Sequence, residues 1–145
     1  MSIAGSDCSG GAGIQADLKT ISALGAYAAT AITAITVQNT TGVRAIHPVP
    51  PVFVRGQIEA VMDDIRPDAI KIGMINDIEI VKVISACLHK YRPAYVIFDP
   101  VMVSTSGHKL IEDDAIAALT DDLMPLTSLI TPCLLYTSDA ADDKA

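Results

Sequence analysis

Tryptophan is absent from this 145-residue chain, and Phe and Tyr number only two and four. A core must therefore be built from Ile, Val, Ala and Leu, as in layered α/β proteins whose strands are buried on both faces. Basic residues are also scarce: 10 Lys and Arg against 17 Asp and Glu leave a formal net charge of −7. That balance argues against nucleic acid or an anionic membrane surface as the main partner. The cysteines Cys8, Cys87 and Cys133 are odd in number and have no metal-type spacing. They suit a reducing cytoplasm better than a disulfide framework. Long apolar runs are missing, since the longest, Ala26–Val37, is too short and too rich in threonine to span a bilayer. A signal-peptide pattern is missing too, because the chain opens directly into a strand and a glycine turn. The length suits one domain with a real core.

Glycine is concentrated where it can do chemistry. Ile3 and Ala4 read as the end of a buried strand, and Gly5, Gly10, Gly11 and Gly13 follow within nine positions. Glycines there allow positive φ and close backbone approach to a ligand. From Ile14 the pattern turns helical, with Ile14, Leu18 and Ile21 on one stripe. A glycine turn ahead of a helix is expected to leave backbone N–H groups free beside the positive end of the helix dipole, a place for a small polar or anionic ligand. Gly11-Ala-Gly13-Ile-Gln-Ala16 fits the loose dinucleotide pattern. The acidic residue that pattern wants at the end of the second strand is missing from Ile35-Thr-Val-Gln-Asn-Thr40, and the turn after Gly5 is too long. A P-loop fails because no Gly-Lys-Ser/Thr follows.

Strand and helix then alternate. Tyr27–Val37 reads as a buried strand; Gly42 and Pro48-Val-Pro-Pro51 punctuate a loop. A helix is predicted from near Val52, with Phe53, Gln57, Ala60 and Val61 along one side and Pro67 ending it. Ala69–Gly73 is a short strand, Asp77 caps a helix to about Tyr91 with Ile80, Val83, Ile84 and Cys87/Leu88 inward, and Tyr95–Phe98 is a strand closed by Asp99-Pro100. Asp113 or Asp114 begins a helix to about Leu123, and Ser128–Ile130 is a last strand. Such alternation predicts parallel strands joined by right-handed crossovers in a three-layer α/β/α domain. Ligands in these sheets gather at the carboxyl ends of the strands, where Gly5, Gln38, Met74 and Asp99 to Val101 all fall.

Each of these residues also has a plain structural reading. Gln38 offers an acceptor and two donors, suited to a ring nitrogen beside an exocyclic amine, or equally to bracing a loop. Asp17, one turn into the first helix, can simply complement the helix dipole. Met74 and Val101 can be core residues or apolar contacts for a flat ring. Asp99 could position Mg²⁺ or phosphates, since a hard cation prefers carboxylate and water oxygens. His47, His89 and His108 form no evident cluster, and Ser104 to Lys109 reads as a loop near the pocket.

The stretch from Ile3 to Thr20 closely resembles the N-terminal signature of the hydroxymethylpyrimidine and phosphomethylpyrimidine kinases of thiamine biosynthesis, in the ribokinase-like superfamily. The resemblance continues through Ala31–Thr40, Lys71-Ile-Gly-Met74, Asp99-Pro-Val-Met102, Ser106-Gly107 and Leu129-Ile-Thr-Pro132. It implies ATP- and Mg²⁺-dependent phosphorylation of a small pyrimidine alcohol and then of its monophosphate. Gly5, Asp17, Gln38, Met74 and Val101 would line the substrate pocket, with an acidic position at Asp99 on the nucleotide side. It also implies a cytoplasmic homodimer. Two alternatives are a pyridoxal kinase of the same lineage, whose substrate is also a hydroxymethyl on a flat ring, and a non-catalytic binding fragment.

The resemblance stops after Pro132. The family continues with Asn-x-x-Glu and, later, a Gly-Thr-Gly-Cys turn that forms the anion hole and carries the catalytic base; this chain has neither. Residues 1–132 are therefore expected to be the N-terminal part of a ribokinase-like domain, truncated on its C-terminal side, with no catalytic residue of its own. Residues 133–145, beginning Cys133-Leu-Leu-Tyr-Thr-Ser, resemble a translated sequencing adapter and are expected to be a non-native join. The source DNA around codon 133 tests this.

Overall fold

The computed structural model describes residues 1–75, 77–101 and 113–132. Six strands form one sheet: β1 (Ser2–Ser6), β2 (Thr30–Asn39), β3 (Gly42–Pro48), β4 (Ala69–Ile72), β5 (Tyr95–Phe98) and β6 (Leu129–Ile130). The helices are α1 (Gly13–Ala23), α2 (Pro51–Asp64), α3 (Ile78–Tyr91) and α4 (Asp113–Ala118). A π turn at Leu119–Leu123 and a 3-10 turn at Met124–Leu126 follow α4. The strand order is β3-β2-β1-β4-β5-β6, parallel throughout except for β3.

Alternation along the strands fixes the layers. Ile3, Ala31, Ile70, Ile72, Val96 and Phe98 point to one face and share a core with Val54 and Ile58 of α2, Ile80 and Ile84 of α3, and Leu119 and Leu123. Burial of each such Ile or Leu contributes roughly 1.5–3 kcal/mol. Ser2 has the opposite parity and meets α1, which covers the other face. The expected α/β/α layering is thus present. On the α1 side the cover is partial, and Tyr95 and Leu129 are 61% and 55% exposed.

Three local readings differ from the sequence expectation. The segment Gly42–Pro48, read above as loop, is an antiparallel strand on β2. The Thr40-Thr41 turn folds it back, with Gly42 at φ 150. Glycine and proline at its two ends disguised it, yet an edge strand tolerates both. The strand read as Tyr27–Val37 begins at Thr30, leaving Tyr27 79% exposed, and runs on to Asn39. In α2 the inward stripe is Val54, Ile58 and Met62, and Phe53 faces solvent. Gln57 turns to the sheet: its Oε1 accepts from Ile32 N at 2.9 Å and its Nε2 donates to Ile32 O at 3.2 Å. It thus continues the pairing of β2 beyond the end of β3.

Helix ends follow ordinary rules. Asp77 caps α3 as predicted, its Oδ1 accepting from Ile80 N at 3.0 Å. Arg92 closes the same helix in the left-handed region at φ 47, just before Pro93 blocks further turns. Asp77→Ala is expected to lower stability by about 1 kcal/mol, read as a Tm drop of about 2–4 °C in thermal unfolding.

Candidate functional site

A cleft of about 320 Å³ opens at the carboxyl ends of β1, β2, β4 and β5, beside the start of α1. Gly5, Asp17, Gln38, Met74, Asp99 and Val101 all line it. A second hollow, about 480 Å³, lies at the opposite ends of the strands around Tyr27, Ile65 and Pro67, and contains none of these six.

The glycine turn does not offer free amides in the way its composition suggests. Asp7, only 3% exposed, folds its carboxylate back into the turn. Its Oδ1 accepts from Ser9 N at 2.8 Å and Ser9 Oγ at 2.7 Å. Its Oδ2 accepts from Gly11 N at 3.0 Å and Ala12 N at 2.8 Å. The nest of donors is therefore already filled by an internal anion. Burial alone would raise the Asp7 carboxyl; the Ser9 hydroxyl and the amides of Ser9, Ala12 and Gly11 outweigh it and hold it below the ordinary value. Gln15 Oε1 accepts from Asp7 N at 2.7 Å, tying the turn to α1.

Two glycines have steric reasons. Gly13 stands at φ 57, and a Cβ there would collide with the carbonyl oxygen of Gly5. At Gly5 a Cβ would come within 2.5 Å of Met74 Cε. The absent side chain at Gly5 thus makes room for the Met74 thioether on the cleft wall, in addition to baring the backbone.

Gln38 is set by the β2 backbone and by the turn. Two register shifts precede it in β2, one between Ile32 and Ile35 opposite Gly5 of β1 and one between Val37 and Gln38 against β3. Such bulges re-aim side chains beside sites. Cys8 clips the turn to the same residue: its thiol donates to Gln38 O at 3.0 Å, and Gln38 N donates back to Sγ at 3.4 Å. Thr36 Oγ1 donates to Ser6 O at 2.7 Å and lies 3.3 Å from Gln38 Oε1. One hydroxyl has one proton, and the shorter bond takes it. The amide is then best turned so that Nε2 donates to Thr36, leaving Oε1 and the second N–H for a ligand.

Asp17 lies beyond the first turn of α1, which holds no acidic residue, so its place is explained by its partners and not by the helix dipole. Its Oδ2 accepts from Ser2 Oγ at 2.6 Å and pairs with Lys71 Nζ at 3.2 Å. Lys71 also reaches Asp99 Oδ2 at 3.7 Å. Lys71 and Asp7 are site residues the sequence reading passed over. The signal for Lys71 was a charge inside an interior strand that otherwise reads Ala-Ile-Ile.

No cluster of three or more His, Cys, Asp or Glu that could hold a metal occurs among the described residues. Asp99, its side chain 35% exposed at the cleft rim, is a single carboxylate. That fits a Mg²⁺ carried mainly by phosphate oxygens and water, and does not fit an all-protein cage. His47 on β3 and His89 on α3 are exposed on separate elements. His108, the 104–109 segment, Cys133 and the 133–145 tail lie outside the described residues. No helix among the described residues is long and apolar enough to cross a membrane.

A family model for phosphomethylpyrimidine kinase matches residues 7–139. The chain is 48% identical over 134 residues to the hydroxymethylpyrimidine/phosphomethylpyrimidine kinase of Escherichia coli, covering 92% of this chain and 50% of that protein. Its fold is similar to the crystal structure of phosphomethylpyrimidine kinase from Clostridium difficile, with TM-score 0.87 and 49% identity over 99% of this chain and 62% of that one. It is also similar to Staphylococcus aureus pyridoxal kinase in complex with AMP-PCP and pyridoxal, with TM-score 0.77 and 37% identity over 90% of this chain and 46% of that one. The chain spans half or less of the length of the curated relatives it matches.

The Asp7 nest makes a pH signature. A carboxyl whose folded value is lowered contributes stability above its unfolded value, near 3.9. That contribution is lost as pH falls through the lower folded value. Asp7→Asn replaces one carboxylate acceptor by a donor, leaving the Gly11 and Ala12 amides short of a partner, and is expected to cost about 1 kcal/mol near neutrality. Urea unfolding from pH 2 to pH 6 is expected to show the difference between wild type and variant shrinking below about pH 4.

Proposed function

The chain belongs to the phosphomethylpyrimidine kinase family, and on that premise we propose that it is the substrate-binding part of a thiamine-pathway kinase. The reaction would phosphorylate 4-amino-5-hydroxymethyl-2-methylpyrimidine and then its monophosphate. The observation that carries this reading is the convergence of Gly5, Asp17, Gln38, Met74 and Val101 on one cleft. Met74 and Val101 give a flat ring apolar walls. Gln38 Oε1 accepts from the exocyclic amine while its free N–H donates to the adjacent ring nitrogen, a bidentate match that rejects rings lacking the pair.

ATP would supply the phosphoryl group, and Mg²⁺ held with Asp99 would neutralise phosphate charge. The described residues contribute binding and orientation of the alcohol. The 145-residue chain is expected to transfer no phosphate by itself, because its sequence lacks the two motifs that the resemblance assigns to the metal and to the anion hole with its catalytic base; an ATP-turnover assay checks this. A cytoplasmic setting belongs to the same reading, supported by Cys8 and Cys87 as free thiols. So does a homodimer: Ile35 and Val37, 52% and 54% exposed on one face of the β2–β3 arm, support it. Sedimentation of the chain as a dimer, reduced to monomer by Ile35→Asp, is the expected outcome.

Titration calorimetry tests the substrate. The chain is expected to bind the aminopyrimidine alcohol more tightly than pyridoxal, which the pyridoxal kinase likeness makes the natural competitor. Gln38→Ala is expected to weaken the pyrimidine about tenfold or more, with a much smaller effect on pyridoxal. Tighter binding of pyridoxal by the wild type would sink the pyrimidine assignment.

A further inference from the structure

Lys71 stands where a lysine is costly. Strand β4 lies between β1 and β5, and its other residues are Ala69, Ile70 and Ile72. An ammonium placed there must be paired to offset desolvation and lost rotamer freedom. The surroundings are shaped for it: a Cβ on Gly73 would stand 3.1 Å from Lys71 Nζ. Asp17 Oδ2 at 3.2 Å and Asp99 Oδ2 at 3.7 Å hold the ammonium from two sides.

The distribution of donors on Asp17 is uneven. Ser2 Oγ and Lys71 Nζ both converge on Oδ2. Among the described residues no donor reaches Oδ1, although the Asp17 side chain is only 18% exposed and lines the cleft. A carboxylate gripped through one oxygen has its rotamer fixed and its other oxygen available.

We propose that Lys71 is a positioning residue for ligand recognition: with Ser2 it locks Asp17 through Oδ2, so that Oδ1 is presented as an acceptor to an amino group on the bound ring. Asp99 Oδ2, 3.7 Å from the ammonium, is the second anchor. Lys71 touches no ligand in this arrangement; it acts through Asp17. The inference rests on the aminopyrimidine reading above and deepens it.

The test uses the 145-residue chain and two ligands, 4-amino-5-hydroxymethyl-2-methylpyrimidine and its analogue lacking the 4-amino group. Lys71→Met is expected to weaken the amino ligand about tenfold, the scale of one charge-assisted hydrogen bond, and to change the analogue by less than about twofold. Lys71→Arg is expected to restore binding to within about threefold, and Lys71→Met in an Asp17→Asn background is expected to add no further loss. Equal weakening of both ligands, or losses that multiply in the double variant, would overturn the proposal. Lys71→Gln replaces the methionine variant should that one not fold.

A second measurement needs no ligand. The Asp17 carboxylate carbon resonance is expected to move in Lys71→Met and to stay near the wild-type position in Lys71→Arg. An unmoved resonance in Lys71→Met overturns the positioning role. A wild-type chain that binds neither pyrimidine removes the substrate reading instead, and leaves the resonance to decide on Lys71.

Discussion

The Asp7 carboxylate is the constraint on which the cleft depends. Four donors converge on it, from Ser9, Gly11 and Ala12, and its own amide is held by Gln15. Without an acceptor at that point, a turn with positive φ at Gly10 and Gly13 would lose chain entropy with nothing to offset it. With it, the turn has one conformation, and α1 starts at a fixed place and angle over β1. Asp17 then arrives above Ser2 and Lys71, and Cys8 arrives against Gln38. Fixing one carboxylate thus orders both polar walls of the cleft.

The same carboxylate changes the chemistry of the turn. Glycine turns ahead of helices bind phosphate because their amides point at empty space. Here an internal anion occupies that space, so the amides serve the fold and the ligand meets the side chains around it. The glycines retain a role through sterics: Gly13 admits the close pass of the Gly5 carbonyl, and Gly5 admits the Met74 methyl.

Much of this was legible in the sequence for a physical reason. In an alternating β/α chain, the residue after each strand lands on one edge of the sheet, so Gly5, Gln38, Met74 and Asp99 to Val101 could be grouped without knowing a single contact. Asp77 was legible because a cap acts within its own turn. What was hidden depends on contacts between distant segments. The strand Gly42–Pro48 exists because β2 offers it a partner, and its own composition reads as loop. Phe53 and Val54 are equally apolar, and only packing against α3 and the sheet decides which turns inward. Asp7 in Ser-Asp-Cys-Ser carries no pattern of its own, since its role depends on the turn folding the Ser9, Gly11 and Ala12 amides back onto it. Lys71 is a charge in an interior strand, but its meaning required Asp17 and Asp99 to be placed beside it.

Charge then decides what the cleft is suited to hold. Its charged lining residues among those described are Asp7, Asp17, Asp99 and Lys71, three carboxylates against one ammonium. The Ser9, Gly11 and Ala12 amides are spent on Asp7, and the ammonium is paired with Asp17 and Asp99. A triphosphate brought into such a surface would face three carboxylates against one ammonium that is already paired. A neutral heteroaromatic alcohol with an amine and a ring nitrogen faces the reverse: free acceptors at Asp17 Oδ1 and Gln38, a donor at Gln38, and apolar contact at Met74 and Val101. The division of labour follows from this balance. On the proposed reading, the β1-to-β5 edge of the sheet takes the acceptor substrate, with Asp99 on the side of the phosphates, in a chain that spans half or less of its curated relatives.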